Sequence, residues 1–252
     1  MPMPAIETMA VVALTFLLAG FVKGVTELGL PTVSLAILTA ALGLQPAMAI
    51  LLAPSLVTNV WQALAGGHLR EILGRIWSLL LALCAATWLG VGVLAGASTD
   101  LLAGLLGVLV CTYAVLGLVR LDPPTLGRSE PWLSPLAGAA SGILNGMTGS
   151  FVVPGVLYLQ ALRLPRECFI QAMGVLFVTA TVALGIALHN RRLLSADLGM
   201  LSAGAVVPAL AGMVAGQRAR QRLSEAMFRS VFFAVLLLVG TFITIQALSV
   251  MR

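Results

Sequence analysis

The stretch Phe21-Val-Lys-Gly-Val-Thr-Glu-Leu-Gly-Leu-Pro-Thr32 places the chain's only lysine, Lys23, and a glutamate, Glu27, inside its first apolar run. Beside them stand Gly24, Gly29 and Pro31, residues of the two types least suited to a helix interior. A charge deep in a membrane helix costs about 2.5–3.5 kcal/mol on insertion scales, so it needs a partner or water. The stretch therefore reads as a helix that breaks around polar groups.

The surroundings fix the solvent. Of 252 residues, 60% are hydrophobic and 9% charged, and the mean hydropathy is +1.07. Soluble domains carry roughly 25% charged residues, so this composition is that of an integral membrane protein. Apolar runs of helical length recur along the chain, which makes the spans helices and not barrel strands. The 26 glycines suit close helix contacts in lipid. The first run follows no basic region and is read as a retained helix, not a cleaved signal. Cys84, Cys111 and Cys168 lie in or beside apolar segments without metal-ligand spacing, so no metal or cofactor is expected. A pI of 9.9 could suggest nucleic acid, but the arginines are scattered over short loops, where they serve topology.

Apolar segments fall near 8–23, 32–44, 46–65, 76–97 and 100–119, then 133–147, 150–163, 167–188, 197–216 and 228–249. Gly20-xxx-Gly24-Val-Thr26 parallels Gly142-xxx-Gly146-Met-Thr148 at an offset of 122. His68 and Arg70 parallel His189 and Arg191 at 121, and Gly92 and Gly96 parallel Gly212 and Gly216 at 120. The expectation is an all-α membrane protein of two repeats, 1–119 and 133–252, joined by a cytoplasmic linker over 120–132. With five crossings per half and the N-terminus outside, Arg70, Arg75, Arg120, Arg128, Arg163, Arg166, Arg218, Arg220, Arg222 and Arg229 are cytoplasmic, against Arg191, Arg192 and Arg252 outside. That bias follows the positive-inside rule. An odd number of crossings makes the repeats inverted, as in many secondary transporters. Eight to ten transmembrane helices result, with short broken or re-entrant members.

Two stretches carry a family likeness. One is Lys23-Gly-Val-Thr-Glu-Leu-Gly-Leu-Pro-Thr32 running on to Pro54-Ser-Leu-Val-Thr-Asn-Val-Trp-Gln62; the other is Gly142-Ile-Leu-Asn-Gly-Met-Thr-Gly-Ser-Phe-Val-Val-Pro-Gly155. In these and in its segment pattern the chain resembles the TauE/SafE (TSUP) family of sulfite and organosulfonate exporters. The family usually has several glycines where this chain has Glu27-Leu-Gly29. The resemblance implies a small anionic substrate: sulfite, a sulfonate or another sulfur-containing organic anion.

The candidate substrate-binding residues are Lys23, Gly24, Thr26, Glu27, Ser55, Asn59, Gln62, Asn145, Gly146, Thr148, Gly149 and Ser150. Breaks at Gly24, Gly29 and Pro31 and at Gly146, Gly149 and Pro154 would free half-helix N-termini and backbone N–H groups for an anion. The alternative is tight packing through small residues. Lys23 and Glu27, spaced i,i+4, either pair with one another, or the lysine snorkels toward the cytoplasmic interface, or both serve the path, the lysine attracting the anion and the glutamate titrating or holding it. Ser55, Asn59 and Gln62 share one helix face, which fits a pathway or interhelical hydrogen bonds. Gln171 and Thr179 are weaker candidates. His68 and His189 at matching positions suggest a gate, with ordinary interfacial histidines as the alternative. The Arg218–Arg222 cluster reads as an anchor near anionic lipid.

No HExxH, GxSxG or P-loop occurs, so neither an enzyme nor an ATP-driven pump is expected. The expectation is a non-enzymatic secondary anion transporter of the bacterial inner membrane, exporting by alternating access at a site where the two breaks meet. Proton coupling and a homodimer stay open as options. The rivals are an anion channel and a non-transporting membrane scaffold.

Overall fold

The computed structural model describes residues 6–27, 29–119, 123–222 and 224–250. The expectations for the N-terminal residues before Ile6, for Arg120 and for Arg252 fall outside these residues.

Twelve α-helices are described, and no strand occurs among the described residues. They are α1 (Ile6–Thr26), α2 (Leu30–Leu42), α3 (Leu44–Ile50), α4 (Leu52–Leu64), α5 (Leu69–Gly96), α6 (Thr99–Val119), α7 (Glu130–Thr148), α8 (Leu157–Ala161), α9 (Arg166–Asn190), α10 (Ala196–Gly204), α11 (Val206–Arg220) and α12 (Glu225–Val250). At 21 residues α1 is about 31 Å long, enough for the hydrocarbon core. Six stretches are long and apolar enough to cross a bilayer: α1, α5, α6, α9, α10 with α11, and α12. A seventh is the pair α3 and α4, bent by 43° at Leu51. The chain is a multi-pass integral membrane protein.

The expected segment 32–44 is the short helix α2, which begins at Leu30 behind Gly29. The segment 150–163 is not continuous. Its π-type turn, Val152–Val156, contains Val153 at φ −111° and ψ 114°, outside the helical region, and α8 follows with five residues.

The helices fall into two compact units. The first comprises Met1–Pro54, Ser98–Arg120 and Arg192–Arg252; the second comprises Ser55–Ala97 and Leu121–Arg191. Each unit draws helices from both halves of the sequence.

In the first unit α1 and α11 run side by side in the same direction. The line of contact is made of glycines: a Cβ on Gly20 would strike the carbonyl of Ala209, and one on Gly24 the carbonyl of Met213. On the other side, Gly212 lies against Leu17 and Gly216 against Phe21. Such close approach lets backbones meet where lipid offers no hydrophobic drive to associate. Two further helices of this unit, α6 and α12, run antiparallel. Gly104 faces Ala247, Gly107 faces Gly240 and Thr244, and Gly117 faces Phe233. Where α3 bends into α4, the freed Ala53 N–H donates to Ser202 Oγ at 2.9 Å.

In the second unit α5 and α7 repeat the α1–α11 arrangement. Gly138, Gly142 and Gly146 of α7 lie on the carbonyls of Leu79, Leu83 and Thr87, and Gly90 lies on Ile143. This contact corrects the glycine alignment drawn from spacing. Gly90, not Gly96, answers to Gly216, since each meets the last glycine of the partner's row, Gly146 and Gly24 respectively. A Cβ on Gly92 would reach only the tip of Arg191 at 3.4 Å, and one on Gly96 would meet nothing within 4 Å. The matching of His68 with His189 fails for the same reason. His68 precedes α5 as its N-cap, whereas His189 sits in the last turn of α9.

Candidate functional site

In the first unit α1 stays helical through Thr26 and ends at Glu27, whose φ is +65°. The Glu27 N–H still donates to the Lys23 carbonyl at 2.7 Å, which closes the last turn. The chain re-enters helix at Gly29, φ +97°, the N-cap of α2, with Pro31 in the first turn where a missing N–H costs nothing. The N-terminal turn of α2 thus carries the partial positive charge of a helix start.

Lys23 lies one turn before the break and is 5% exposed. Thr26 turns its hydroxyl back to the Val22 carbonyl at 2.9 Å. The Glu27 carboxylate accepts a hydrogen bond from Arg220 Nη1, and the two side chains are 29% and 38% exposed.

The second unit also ends its helix on a left-handed residue, but a π-type turn follows there instead of a regular helix. Gly149 takes φ +74° at the end of α7 and donates its N–H to Asn145 at 2.8 Å. Asn145 and Gly149 stand where Lys23 and Glu27 stand in α1. Thr148, like Thr26, bonds backward, to Leu144 at 2.8 Å, and its oxygen accepts from the Ser150 N–H at 3.2 Å. The Asn145 amide is fully buried and donates to the Ala180 carbonyl at 3.0 Å and to Thr87 Oγ1 at 3.4 Å.

Ser55, Asn59 and Gln62 are all buried in the same unit, on one face of α4, and Trp61 projects outward at 73% exposure. Gln62 donates to the Ile170 carbonyl at 3.0 Å. The Ser55 hydroxyl is buried and meets no hydrogen-bond partner among the described residues. Gln171 holds the turn between α4 and α5: its amide nitrogen donates to Ala63 at 2.8 Å and its oxygen accepts from the His68 N–H at 2.9 Å. Thr179 bonds to Val175 within its own helix. Gln171 and Thr179 therefore serve local structure.

The expected residues are thus divided. Lys23, Gly24, Thr26 and Glu27 belong to the first unit, and Ser55, Asn59, Gln62, Asn145, Gly146, Thr148, Gly149 and Ser150 to the second. Arg220 was missed, having been read as part of a lipid-facing cluster. The available signal was Gly216, one turn before it on the row that meets α1. No group of three or more metal-ligating side chains occurs among the described residues.

Glycine-seamed helix pairs and interrupted short helices define a multi-pass helical membrane protein, with features that occur among secondary transporters. The family model for the sulfite exporter TauE/SafE matches residues 12–243, nearly the whole chain. The protein belongs to the TauE/SafE family. Neither a curated protein nor a solved structure matches it.

Proposed function

We propose that the protein is a secondary transporter that exports a small sulfur-containing anion, sulfite or a sulfonate, across the bacterial inner membrane by alternating access. One observation carries this reading. In a member of a sulfite-exporter family, a left-handed helix break occurs twice, and one copy has a buried lysine one turn before it. A buried cation beside a helix start is suited to an oxyanion, because N–H groups and ammonium both stabilise negative charge.

The binding groups in this proposal are Lys23 and the N–H groups at the start of α2 behind Gly29 in one unit, whereas Gly24, inside α1, packs against α11. In the other they are Ser55, Asn59, Asn145 and the backbone around Gly149 and Ser150. Thr26 and Thr148 already donate to backbone carbonyls and act chiefly by shaping the breaks, and Gln62 ties α4 to α9. The halves 1–119 and 133–252 are read as inverted repeats with the N-terminus outside. The antiparallel run of α6 and α12, the last helix of each half, supports an odd number of crossings per half. A negative-inside potential drives anion export at about 2.3 kcal/mol per charge per 100 mV. The chain acts without enzymatic chemistry.

Purified protein in liposomes, assayed for flux of sulfite and of a panel of sulfonates, tests the reading. Saturable flux is expected from the wild type. Lys23→Ala and Asn59→Ala should reduce it at least tenfold (about 1.4 kcal/mol) while still eluting as folded protein. Normal flux in both variants would move the site elsewhere. No flux of any anion from folded wild type would leave a non-transporting role.

A further inference from the structure

Glu27 occupies a backbone position that disfavours it. A non-glycine residue in the left-handed region costs about 1–2 kcal/mol, and the second unit uses Gly149 at the matching place. Strain of this kind, where a glycine would relieve it, points to a role for the side chain.

What the side chain touches is determined by the glycine seam. A Cβ built on Gly216 would sit 3.1 Å from the Gly24 Cα, where the α1 and α11 backbones cross close to the break. Glu27 lies three residues past Gly24 and Arg220 four past Gly216, so the crossing delivers the guanidinium to the carboxylate. In the second unit the corresponding crossing joins Gly146 and Gly90, with 2.8 Å from the built Cβ of Gly90 to the Gly146 Cα. Counting on equally from there gives Gly149 and Leu94, and Leu94 is buried. Acid and base are thus both present in one unit and both absent in the other. Were Arg220 only a lipid anchor, it would need no carboxylate in a strained turn.

We propose that Arg220 is an anion-binding residue at the entrance to the Lys23 break, and that the Glu27 carboxylate is a built-in competitor that holds the guanidinium until an oxyanion displaces it. The proposal rests on the transport reading above. Its physical basis is the exposure of the pair. Both side chains are about one-third exposed, and ion pairs in contact with water contribute only about 0–1 kcal/mol. A sulfur oxyanion offers several acceptor oxygens to a guanidinium that binds such groups in bidentate fashion. It can therefore replace one carboxylate at little net cost. Lys23, one turn further into α1 and almost fully buried, is the next cation along the chain. Once the anion has moved on, Glu27 recovers Arg220 and opposes its return, favouring release over rebinding.

Sulfite flux into proteoliposomes, with KM and Vmax separated, provides the test. Glu27→Gly keeps the left-handed turn and removes the competitor. If the pair is closed about four-fifths of the time, within the range for such pairs, KM should fall up to about fivefold, and Vmax should fall too because release slows. Arg220→Gln should raise KM about tenfold, with partial recovery in Arg220→Lys. In the double variant the KM gain from Glu27→Gly should vanish, since nothing remains to compete for. An unchanged or raised KM in Glu27→Gly, or the same gain without Arg220, would overturn the proposal while leaving wild-type transport intact. Wild type that moves no sulfite or sulfonate would bring down the transport reading, and this proposal with it.

Discussion

Glu27 and Gly149 both take positive φ, +65° and +74°, and each donates its N–H to the carbonyl four residues earlier. Only the glycine adopts it without a Cβ penalty. Glu27→Ala should therefore be less stable than Glu27→Gly by about 1 kcal/mol, because both lose the carboxylate and differ only in the turn. Gly149→Ala should be destabilising by a similar amount. Thermal midpoints of the three variants in detergent measure this; equal midpoints for Ala and Gly at position 27 would refute it.

The glycine seams make a second prediction with an internal control. Gly216→Ala and Gly146→Ala push a methyl into backbone of the neighbouring helix and should cost about 1–3 kcal/mol each. Gly96→Ala, where the added methyl meets nothing within 4 Å, should be neutral or stabilising by up to about 1 kcal/mol from helix propensity. The spacing argument that paired Gly96 with Gly216 expects equal effects, so comparing the two variants in one stability assay separates the registers.

Arg75 donates to both oxygens of Glu130, at 2.8 and 2.9 Å, ahead of the apolar part of α7. The hydrogen bond from Arg75 holds the Glu130 carboxyl below its usual range. A carboxylate whose pKa is depressed on folding adds stability above its unfolded pKa, about 4.3, and loses it as pH falls through the lower folded value. Glu130→Gln should lower stability at pH 7 by about 0.2–1 kcal/mol, given the exposure of the pair. The gap from wild type should close below about pH 4. A gap that persists in acid would mean that the glutamine disturbs something other than the pair.

Gln171 spends both ends of its amide on the α4–α5 turn. Gln171→Leu should release the His68 N–H and speed its hydrogen exchange, with a stability loss of about 0.6–1.7 kcal/mol. Exchange rates over residues 65–69 read the effect directly. Unaltered protection there would mean that the turn holds without the glutamine.

The helical class, the membrane setting and both breaks were legible in the sequence because they are local. Apolar runs report spans, and Gly29 with Pro31, or Gly149 with Pro154, report interruptions. The buried face of Ser55, Asn59 and Gln62 was legible too, since helical spacing alone places those three together. Contacts between distant helices were not. Gly92–Gly96 and Gly212–Gly216 have identical spacing, yet only Gly212 and Gly216 face a neighbouring helix, and spacing does not say which side of a helix is covered. The Arg220–Glu27 pair joins residues 193 positions apart. Gly216, one turn before Arg220, sets it apart from Arg218 and Arg222 only once α11 is laid against α1.

The crosswise pairing of helices bears on how the protein is made. The glycine row of α1 is matched by α11, which emerges from the ribosome only after some 180 further residues. Until then α1 must wait in the bilayer with its groove filled by lipid or by a temporary guest. The pairing of α5 with α7 is available much earlier, so the second unit can assemble while the first is unfinished. A polypeptide truncated before Val206 would keep the α5–α7 seam and lack the partner of α1. Its Glu27 would have no Arg220 to meet, so this ion pair can form only once synthesis has reached α11.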